Sequence, residues 1–258
     1  SSIDPSILNA LLDLKSATVS LLASRSLQKR IDTKFLLHQD RLVGLLSLLS
    51  QSYAVVMTDE HPIATYKNLY FDTETHLFLK EHHRDRRPRF KVRIRHHSDR
   101  KMSFVEVKKK NASDTTLKQR RDIPFQKEDL SGLYSFLDEH CSAADAKQLQ
   151  PSLRTDFKRI TLVGMHTYER ITIDTSLLCS CDRTKASWTW PQGVVVEVKQ
   201  DRFGARSPVM IALRSVKATA LSISKYFTAA SHLLPNVNMS LYRPKMRQIE
   251  RLVYDRAL

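Results

Sequence analysis

The segment Arg89–Arg95 alternates strictly between basic and apolar residues. If it forms a β-strand, residues two positions apart share one face of the sheet, because successive side chains point to opposite sides. The cations of that face are Arg89, Lys91, Arg93 and Arg95. Neighbouring cations would then lie about 6–7 Å apart, and they repel one another unless water screens them or an anion lies between them. The segment therefore predicts a strand whose charged face binds an anion.

Other segments repeat this alternation and add carboxylates to it. Their charged positions are Arg30, Asp32 and Lys34, then Glu106, Lys108 and Lys110, then Lys118 and Arg120, then Arg170 and Asp174, and finally Glu197, Lys199 and Asp201. Val105–Lys108 and Val196–Lys199 both read Val-Glu-Val-Lys. A carboxylate among cations can hold Mg²⁺ or Mn²⁺, which prefer hard oxygen ligands, or it can form a salt bridge. Both interpretations stay open for Glu106.

The composition indicates an anionic partner. The chain has 258 residues and a net charge of +15, an excess that is typical of proteins that bind nucleic acid, phosphate polymers, nucleotides or membrane surfaces. It has only five glycines and no Gly-rich phosphate loop, so side chains would have to hold any phosphate. The basic strands interleave aliphatic residues, which argues against RNA, because single strands are bound by stacking on aromatic side chains. No nucleic-acid partner is therefore expected.

The hydrophobic pattern predicts an α+β fold with about eight to ten strands, in one domain over residues 1–258. A sheet that is apolar on one side can lie open, with its charged face solvated. It can also close into a barrel with the charges inside and helices packed around the outside, and closure removes the sheet edges. We predict the closed antiparallel β-barrel. A helix over about residues 5–24, within the segment 1–24, is predicted to pack on it, and residues 236–258 to form a basic helical segment.

Further sequence features predict where the protein is located in the cell and which histidines are exposed. No apolar run reaches the roughly 18 residues needed to span a bilayer. The cysteines have neither a disulfide framework nor a zinc spacing, so we expect reduced thiols in a cytoplasmic protein. They are Cys141, Cys179 and Cys181. The adjacent pairs His82-His83 and His96-His97 would point to opposite faces of a strand and are predicted to lie at the surface.

Four motifs resemble the VTC domain, the polyphosphate polymerase module of the triphosphate tunnel metalloenzymes in the CYTH-like superfamily. They are Asn68-Leu-Tyr-Phe-Asp-Thr73, Arg89-Phe-Lys-Val-Arg-Ile-Arg95, Phe104-Val-Glu-Val-Lys108 and Ser224-Lys-Tyr226. The resemblance runs from about Arg30 to Tyr226, and without a transmembrane segment the chain is more similar to the free-standing bacterial members. It implies a β-barrel tunnel lined by basic residues. It also implies transfer of the γ-phosphate of ATP to a growing inorganic polyphosphate chain, with Mn²⁺ or Mg²⁺.

The resemblance implies roles for individual residues. Those implied for catalysis are Lys34, Arg93, Arg95, Arg159, Arg170 and Lys225. Those predicted to bind substrate are Lys91, Lys108, Lys118, Arg120 and Lys199, of which Lys91 and Arg120 come from the strand pattern alone. The metal-binding glutamate of the family matches Glu197, and Glu106 is a second candidate ligand. The family's Glu-x-Glu-x-Lys strand reads Arg30-Ile-Asp32-Thr-Lys34 here, and the missing carboxylate argues against a second metal ion.

The expected ligands are ATP, inorganic polyphosphate, and orthophosphate or pyrophosphate, and inositol phosphate is a further candidate. Two alternative functions stay open. The first is a triphosphatase or polyphosphate hydrolase of the same fold, which uses water as the nucleophile. The second is a non-catalytic module that binds polyphosphate or inositol phosphate. The carboxylates of Glu106 and Glu197 favour an enzyme, because a pure anion binder gains nothing from them.

Overall fold

The computed structural model describes residues 3–27, 30–113, 115–234 and 236–254. Within them it contains eight α-helices and eleven strands, so the predicted α+β class is confirmed. The helices are α1 Pro5–Leu12, α2 Val19–Ser24, α3 Leu42–Leu49, α4 Leu77–His83, α5 Tyr134–His140, α6 Pro208–Ser215, α7 Lys225–Leu233 and α8 Arg243–Tyr254. The strands are β1 Ile31–His38, β2 Tyr53–Val55, β3 Ile63–Asp72, β4 Arg89–His97, β5 Met102–Lys110, β6 Thr116–Ile123, β7 Gln150–Gly164, β8 Glu169–Ser180, β9 Ser187–Trp190, β10 Gly193–Gln200 and β11 Thr219–Ala220.

All of these strands join one antiparallel sheet. Its order is β11-β1-β10-β8-β7-β3-β4-β5-β6, while β2 pairs with β7 and β9 pairs with β8. Lys34 of β1 lies near one end of this order and Thr116 of β6 lies at the other, yet both line the same cavity. The sheet therefore curls until its two ends approach each other.

The predicted closed barrel is wrong, because the two ends do not join. Within the described residues, β6 pairs only with β5, and β11 pairs only with β1. The chain segment Leu221–Ser224 lies between β1 and β4 instead. Lys34 Nζ donates to the carbonyl oxygen of Ile223 at 2.9 Å, and Lys91 Nζ of β4 donates to Ser224 Oγ at 2.9 Å. Side chains and this segment therefore bridge a seam that strand pairing leaves open.

The apolar side of the alternating strands faces outward and packs under helices. Beneath α1, α3 and α6, the buried strand residues are Ile171, Ile173, Val194, Val196 and Val198. Beneath α5 and beside α4, they are Phe90, Val92, Ile94, Val105 and Val107. Each such side chain contributes about 1.5–3 kcal/mol when it is fully buried. Because this packing holds one face of each strand outward, the charged face points inward.

Helices α7 and α8 cover one part of the inner face with apolar packing. The ring of Tyr226 stacks on Tyr70 of β3 with 4.6 Å between the centroids, and both rings are buried. Phe227 packs edge-on against Tyr242, with 4.3 Å between the centroids. Leu36 of β1 belongs to the same buried cluster. The inner face is thus divided between an apolar part under α7 and a charged part beside it.

The predicted single helix over residues 5–24 is wrong, because the segment forms two helices with a break between them. At the break the chain pairs with β2, where Ala17 N donates to the carbonyl oxygen of Val55 at 2.8 Å. α1 buries Ile7 and Leu11 in the cluster that also contains α3. The N-terminal segment therefore packs on the outer face of the sheet through α1.

The predicted C-terminal segment over 236–258 contains α8. Residues 1–2, 28–29, 114, 235 and 255–258 lie outside the described residues, so the single domain over residues 1–258 stays a prediction. None of the described helices combines the length and apolarity needed to cross a bilayer. All three cysteines are free and buried. The cytoplasmic location stays a prediction.

Candidate functional site

The strand register gathers the predicted site residues on the inner face of the sheet. Lys34 of β1 lies opposite Glu197 of β10, and Lys199 lies opposite Arg170 of β8. The strand residues on this face are Lys34, Lys91, Arg93, Arg95, Glu106, Lys108, Lys118, Arg120, Arg159, Arg170, Glu197 and Lys199. Lys225 reaches the face from the first position of α7. The position of these residues on the inner face agrees with the alternation seen in the sequence. The role of each residue stays a prediction.

A cavity of about 710 Å³ opens on this face. Of the predicted site residues, Lys34, Lys91, Lys108 and Glu197 line it, and we call these four the cavity group. The end of α4, the segment before α7, and α8 complete its wall. The predicted arginines do not line this cavity, and several of them form ion-pair clusters beside it. The site therefore has two electrostatically different parts.

The first ion-pair cluster is centred on Glu106 of β5. Its Oε2 lies 2.6 Å from Arg93 Nη2, and its Oε1 lies 2.5 Å from Lys118 Nζ. Burial raises the pKa of this carboxyl, but the charges of Arg93, Arg95 and Lys118 outweigh burial and hold the pKa well below its usual range. Both oxygens of Glu106 are thus occupied by cations. The structure favours the salt-bridge interpretation of Glu106 over its use as a metal ligand.

The second cluster is centred on Asp174 of β8, to which sequence analysis gave a place on the charged face but no role. Arg159 donates from Nε to Oδ1 at 2.6 Å and from Nη2 to Oδ2 at 2.8 Å. Lys225 Nζ lies 2.5 Å from the same Oδ2. Burial opposes ionisation of Asp174, yet the two cations hold its pKa below the usual range. Two-pronged pairing of this kind fixes the Arg159 guanidinium in one orientation.

The Ser224-Lys225-Tyr226 motif anchors the start of α7 through three different contacts. Ser224 Oγ caps the helix by accepting from Phe227 N at 3.3 Å, and it also accepts from Lys91 Nζ. Lys225 pairs with Asp174 as described, while the Tyr226 hydroxyl donates to Asp72 Oδ2 at 3.0 Å. The motif therefore connects the strands of both halves of the sheet to α7.

Asp72, for which the sequence predicts no role, is a third structural carboxylate. It is fully buried at the end of β3 and accepts from Phe78 N at 2.9 Å and Leu79 N at 3.1 Å. Burial raises the pKa of Asp72 despite these donors. Because it also accepts from Tyr226, this one carboxyl fixes α4 relative to α7.

Glu197 is the carboxylate of the cavity group. Its Oε2 lies 2.9 Å from Lys199 Nζ, and the charges of Lys199 and Lys34 outweigh burial and hold its pKa well below the usual range. Within the described residues, no three His, Cys, Asp or Glu side chains gather in a metal-binding arrangement. A divalent cation at a phosphate site is commonly held by one or two carboxylates together with phosphate oxygens and water. Glu197 beside a cationic cavity fits a metal of that kind.

Several cations of the inner face have no carboxylate partner among the described residues. Lys34 and Lys91 donate to neutral oxygens, and within the described part of the chain Lys108 forms neither a hydrogen bond nor an ion pair. Although Lys108 is partly exposed in the cavity, its partial removal from solvent and the charge of Lys34 lower its pKa to about 8. Burial and the charge of Arg93 lower the pKa of Arg95 to about 10. A bound polyanion would reverse these shifts.

Three of the four paired histidines differ from their predicted surface position, and one of them, His83, lines the cavity beside His82. His82 lines the cavity, because it lies at the end of helix α4 rather than on a strand. His96 is on a strand but is buried, and its Nδ1 lies 2.6 Å from Ser103 Oγ. Helical geometry turns His82 towards the inner face, which strand alternation could not indicate.

The model of the VTC domain matches residues 29–234 of this chain. The sequence has no match among curated proteins. Among solved structures, it is similar to a candidate adenylyl cyclase from Hippeastrum for which a dominant triphosphatase activity is described. The identity is 14% and the TM-score 0.49, over 81% of this chain and 98% of that chain. It is also similar to a candidate adenylate cyclase from Bacillus halodurans, with 13% identity and a TM-score of 0.46, over 76% of this chain and 93% of that chain. Similarity of this degree assigns no activity.

Proposed function

Because this chain belongs to the VTC family, we propose that it is a metal-dependent phosphotransferase that moves the γ-phosphate of ATP to the end of an inorganic polyphosphate chain. The observation that carries the proposal is a cavity lined by three lysines that have no carboxylate partner among the described residues, Lys34, Lys91 and Lys108. Such a cavity requires an anion with several closely spaced charges. A tri- or polyphosphate meets that requirement, and orthophosphate or pyrophosphate would serve as the first acceptor.

In this proposal the cavity group and the ion-pair clusters have different roles. The lysines of the cavity group, with Lys199, bind phosphate oxygens as point charges. Arg93 and Arg159 are already oriented by Glu106 and Asp174, and they would stabilise the charge that develops on the transferred phosphoryl group. Phosphoryl transfer depends mainly on positioning and charge neutralisation, which fixed guanidinium groups supply without rearrangement.

Further cations would act on the same phosphates. Arg95 donates to Asn68 Oδ1 at 2.8 Å and has no carboxylate partner in the described residues, so its remaining N–H groups can bind phosphate. Arg170, Lys118 and Arg120 lie on the same face and would extend the binding surface along the polymer. Lys225 would contribute charge from α7 while it remains paired with Asp174.

Glu197 would hold Mn²⁺ or Mg²⁺, with Lys199 Nζ fixing the orientation of the carboxylate. The metal would neutralise charge on the phosphates of the nucleotide. The acceptor is a phosphate oxygen that is already anionic at neutral pH, so the reaction needs no strong general base. The residues of this chain therefore bind, orient and neutralise, and none of them has to remove a proton.

A triphosphatase or polyphosphate hydrolase is the second candidate, and the open seam favours it. Lys118 and Arg120 of β6 are exposed, so water can reach the inner face from this side and compete as a nucleophile. A binding module is the third candidate. The carboxylate of Glu106 no longer argues against it, because ion pairing alone explains that residue. Glu197 is therefore the residue that best separates catalysis from binding.

The test is incubation of the protein with ATP and Mn²⁺, followed by separation of the products by size. We expect polymer from the wild type and a loss of roughly two orders of magnitude in Glu197→Gln, because metal neutralisation supplies several kcal/mol. Glu60→Gln, an exposed carboxylate in a loop, is the matched control and should retain activity. Orthophosphate as the product would identify a hydrolase, and absence of turnover with retained binding of tripolyphosphate would identify a binding module.

A further inference from the structure

His82 occupies a position in the cavity wall that the proposed mechanism does not use. Its imidazole lies against Phe227 of α7, with 4.7 Å between the ring centroids. Its Nδ1 is buried and has no hydrogen-bond partner among the described residues. The ring borders the same cavity as Lys34 and Lys91. A polar ring is thus held in place by apolar packing, next to the region where phosphate is expected.

The four cations that face His82 come from three elements. Lys34 belongs to β1, Arg89 and Lys91 belong to β4, and Lys245 belongs to α8. Burial, followed by these four cations, lowers the pKa of His82 to about 2. The other titratable groups that line the cavity are Asp32, His83, Asp85, Lys108, Lys110, Glu197 and Tyr242. His82 is therefore a neutral imidazole surrounded mainly by positive charge.

We propose that His82 is an anion-responsive binding residue: it is neutral while no anion is bound, and it takes up a proton when a tri- or polyphosphate enters the cavity. The protonated ring then becomes an additional charged contact for the phosphate groups. The proton comes from the solvent and forms an N–H bond on the imidazole, and no other covalent bond forms or breaks. This inference rests on the proposed function, because it assumes that the cavity holds a phosphate chain.

The physical reason is a change in sign of the local electrostatic potential. Without an anion, protonation would add a further cation beside Lys34, Lys91 and Lys245, which repulsion and burial both oppose. A bound polyphosphate compensates these lysines and adds negative charge, so it should return the imidazole towards its ordinary pKa of about 6.5. A histidine suits this position because its ordinary pKa lies close to neutral pH, so its charge can follow the presence of the ligand.

The experiment is calorimetric titration with tripolyphosphate at pH 6, with EDTA present, in two buffers that differ in ionisation enthalpy. The number of protons taken up on binding is compared between the wild type and His82→Gln. If the bound pKa is about 6.5, the wild type should take up roughly three quarters of a proton more than the variant. It should also bind about fourfold more tightly at pH 6, and the difference should vanish by pH 8.

Protons that the ligand itself gains or loses are the same in both proteins and cancel in the difference. His166→Gln removes an exposed imidazole in the turn after β7 and should match the wild type. If His82→Gln does not fold, His82→Asn is the second variant. In addition, the imidazole C2–H resonances of the wild type can be followed against pH. The inference is supported if one histidine titrates near pH 6.5 only when tripolyphosphate is present. It is overturned if no histidine behaves in this way.

The outcomes separate this inference from the proposed function. Equal proton uptake in the wild type and the His82 variant overturns the role of His82, even if the protein makes polymer. Proton uptake that depends on His82 supports the inference, even if the protein hydrolyses or only binds the phosphate chain. Failure of the wild type to bind tripolyphosphate overturns both.

Discussion

The ion-pair clusters and the cavity group hold their cations in opposite ways. In the clusters, Glu106 and Asp174 each bind two cations at 2.5–2.6 Å and are almost completely buried. In the cavity group, Lys34 and Lys91 donate only to neutral oxygens, and Lys108 has no partner within the described residues. The two parts lie on one face of one sheet and have similar residue types.

The difference shows how one basic surface can provide both rigidity and affinity. A buried ion pair is stable only while both partners are present, because each charge has lost its water. Such a pair fixes the orientation of its cations, and the carboxylate offsets part of the positive charge that they present to a ligand. Cations that border a wet cavity without partners repel one another, and a polyanion relieves that repulsion when it binds. The clusters should therefore control folding, and the cavity group should control binding.

The largest effect is expected from breaking a cluster. Asp174→Asn leaves the Arg159 and Lys225 charges buried without their carboxylate, so the free energy of unfolding should fall by about 3–5 kcal/mol. Urea denaturation measures this loss. Asp122→Asn, an exposed carboxylate on β6, is the control and should change stability by less than about 0.5 kcal/mol. A loss no greater than that of the control would show that the cluster is not structural.

The next effect concerns the cavity group. Lys108→Met should weaken tripolyphosphate binding about tenfold, because a hydrogen bond to a charged group contributes about 1.5 kcal/mol or more. The folded state should keep its stability, since Lys108 has no described partner to lose. Lys109→Met is the matched control: its ammonium lies over the Phe90 ring on the outer face, 5.7 Å from the centroid. Equal weakening in both variants would mean that net charge, rather than the cavity, determines affinity.

A smaller effect on stability is expected at Ser224, which lies between α7 and Lys91 of the cavity group. Ser224→Ala removes the cap of α7 and the acceptor of Lys91, and should lower the free energy of unfolding by about 1 kcal/mol. Ser224→Thr retains the oxygen and should recover most of this loss. Thermal or urea denaturation distinguishes the two variants. If alanine is tolerated as well as threonine, the position of α7 depends on Lys225 and Tyr226 alone.

The smallest expected effect is the contribution of Lys108 to the pH dependence of tripolyphosphate affinity. Lys108 has a pKa of about 8 without anion, and a bound anion raises it, so binding requires proton uptake once the pH exceeds about 8. Tripolyphosphate affinity should therefore fall as the pH rises, by about threefold between pH 7.5 and 8.5 from this residue. Calorimetry on the wild type and Lys108→Met measures the difference. A pH profile that is the same in both proteins would contradict the role of Lys108.

The inner face could be predicted from the sequence because side-chain direction in a strand depends only on residue parity. The alternation in Arg89–Arg95 determines which cations share a face, whatever the strand pairs with. The apolar partners Phe90, Val92 and Ile94 determine that the other face is buried. Local pattern was sufficient here for the twelve predicted residues on strands, which lie on the same side of the sheet for that reason. Lys225 reaches this side from α7, and strand parity does not account for its position.

The remaining features depend on contacts between distant parts of the chain. Whether Asp174 pairs with Lys225, or Glu106 with a metal, is decided by tertiary packing and by charges from other strands. Pairing of the segment around Ala17 with β2 interrupts a helix whose local apolar pattern continues. Among the described residues the end strands β6 and β11 do not pair with each other, and no periodicity within either end of the sheet indicates that outcome.

Among the described residues β6 has one unpaired edge, and this edge has a consequence for how copies of this protein associate in solution. A free strand edge offers its backbone to any other chain with a free edge. Here Lys118, Arg120 and Arg121 follow one another along that edge, so two identical edges would approach with like charges and repel. Salt at about 1 M shortens the range of this repulsion to about 3 Å. A long polyanion would cancel it as well, so concentrated polyphosphate should bring copies of the protein together edge to edge.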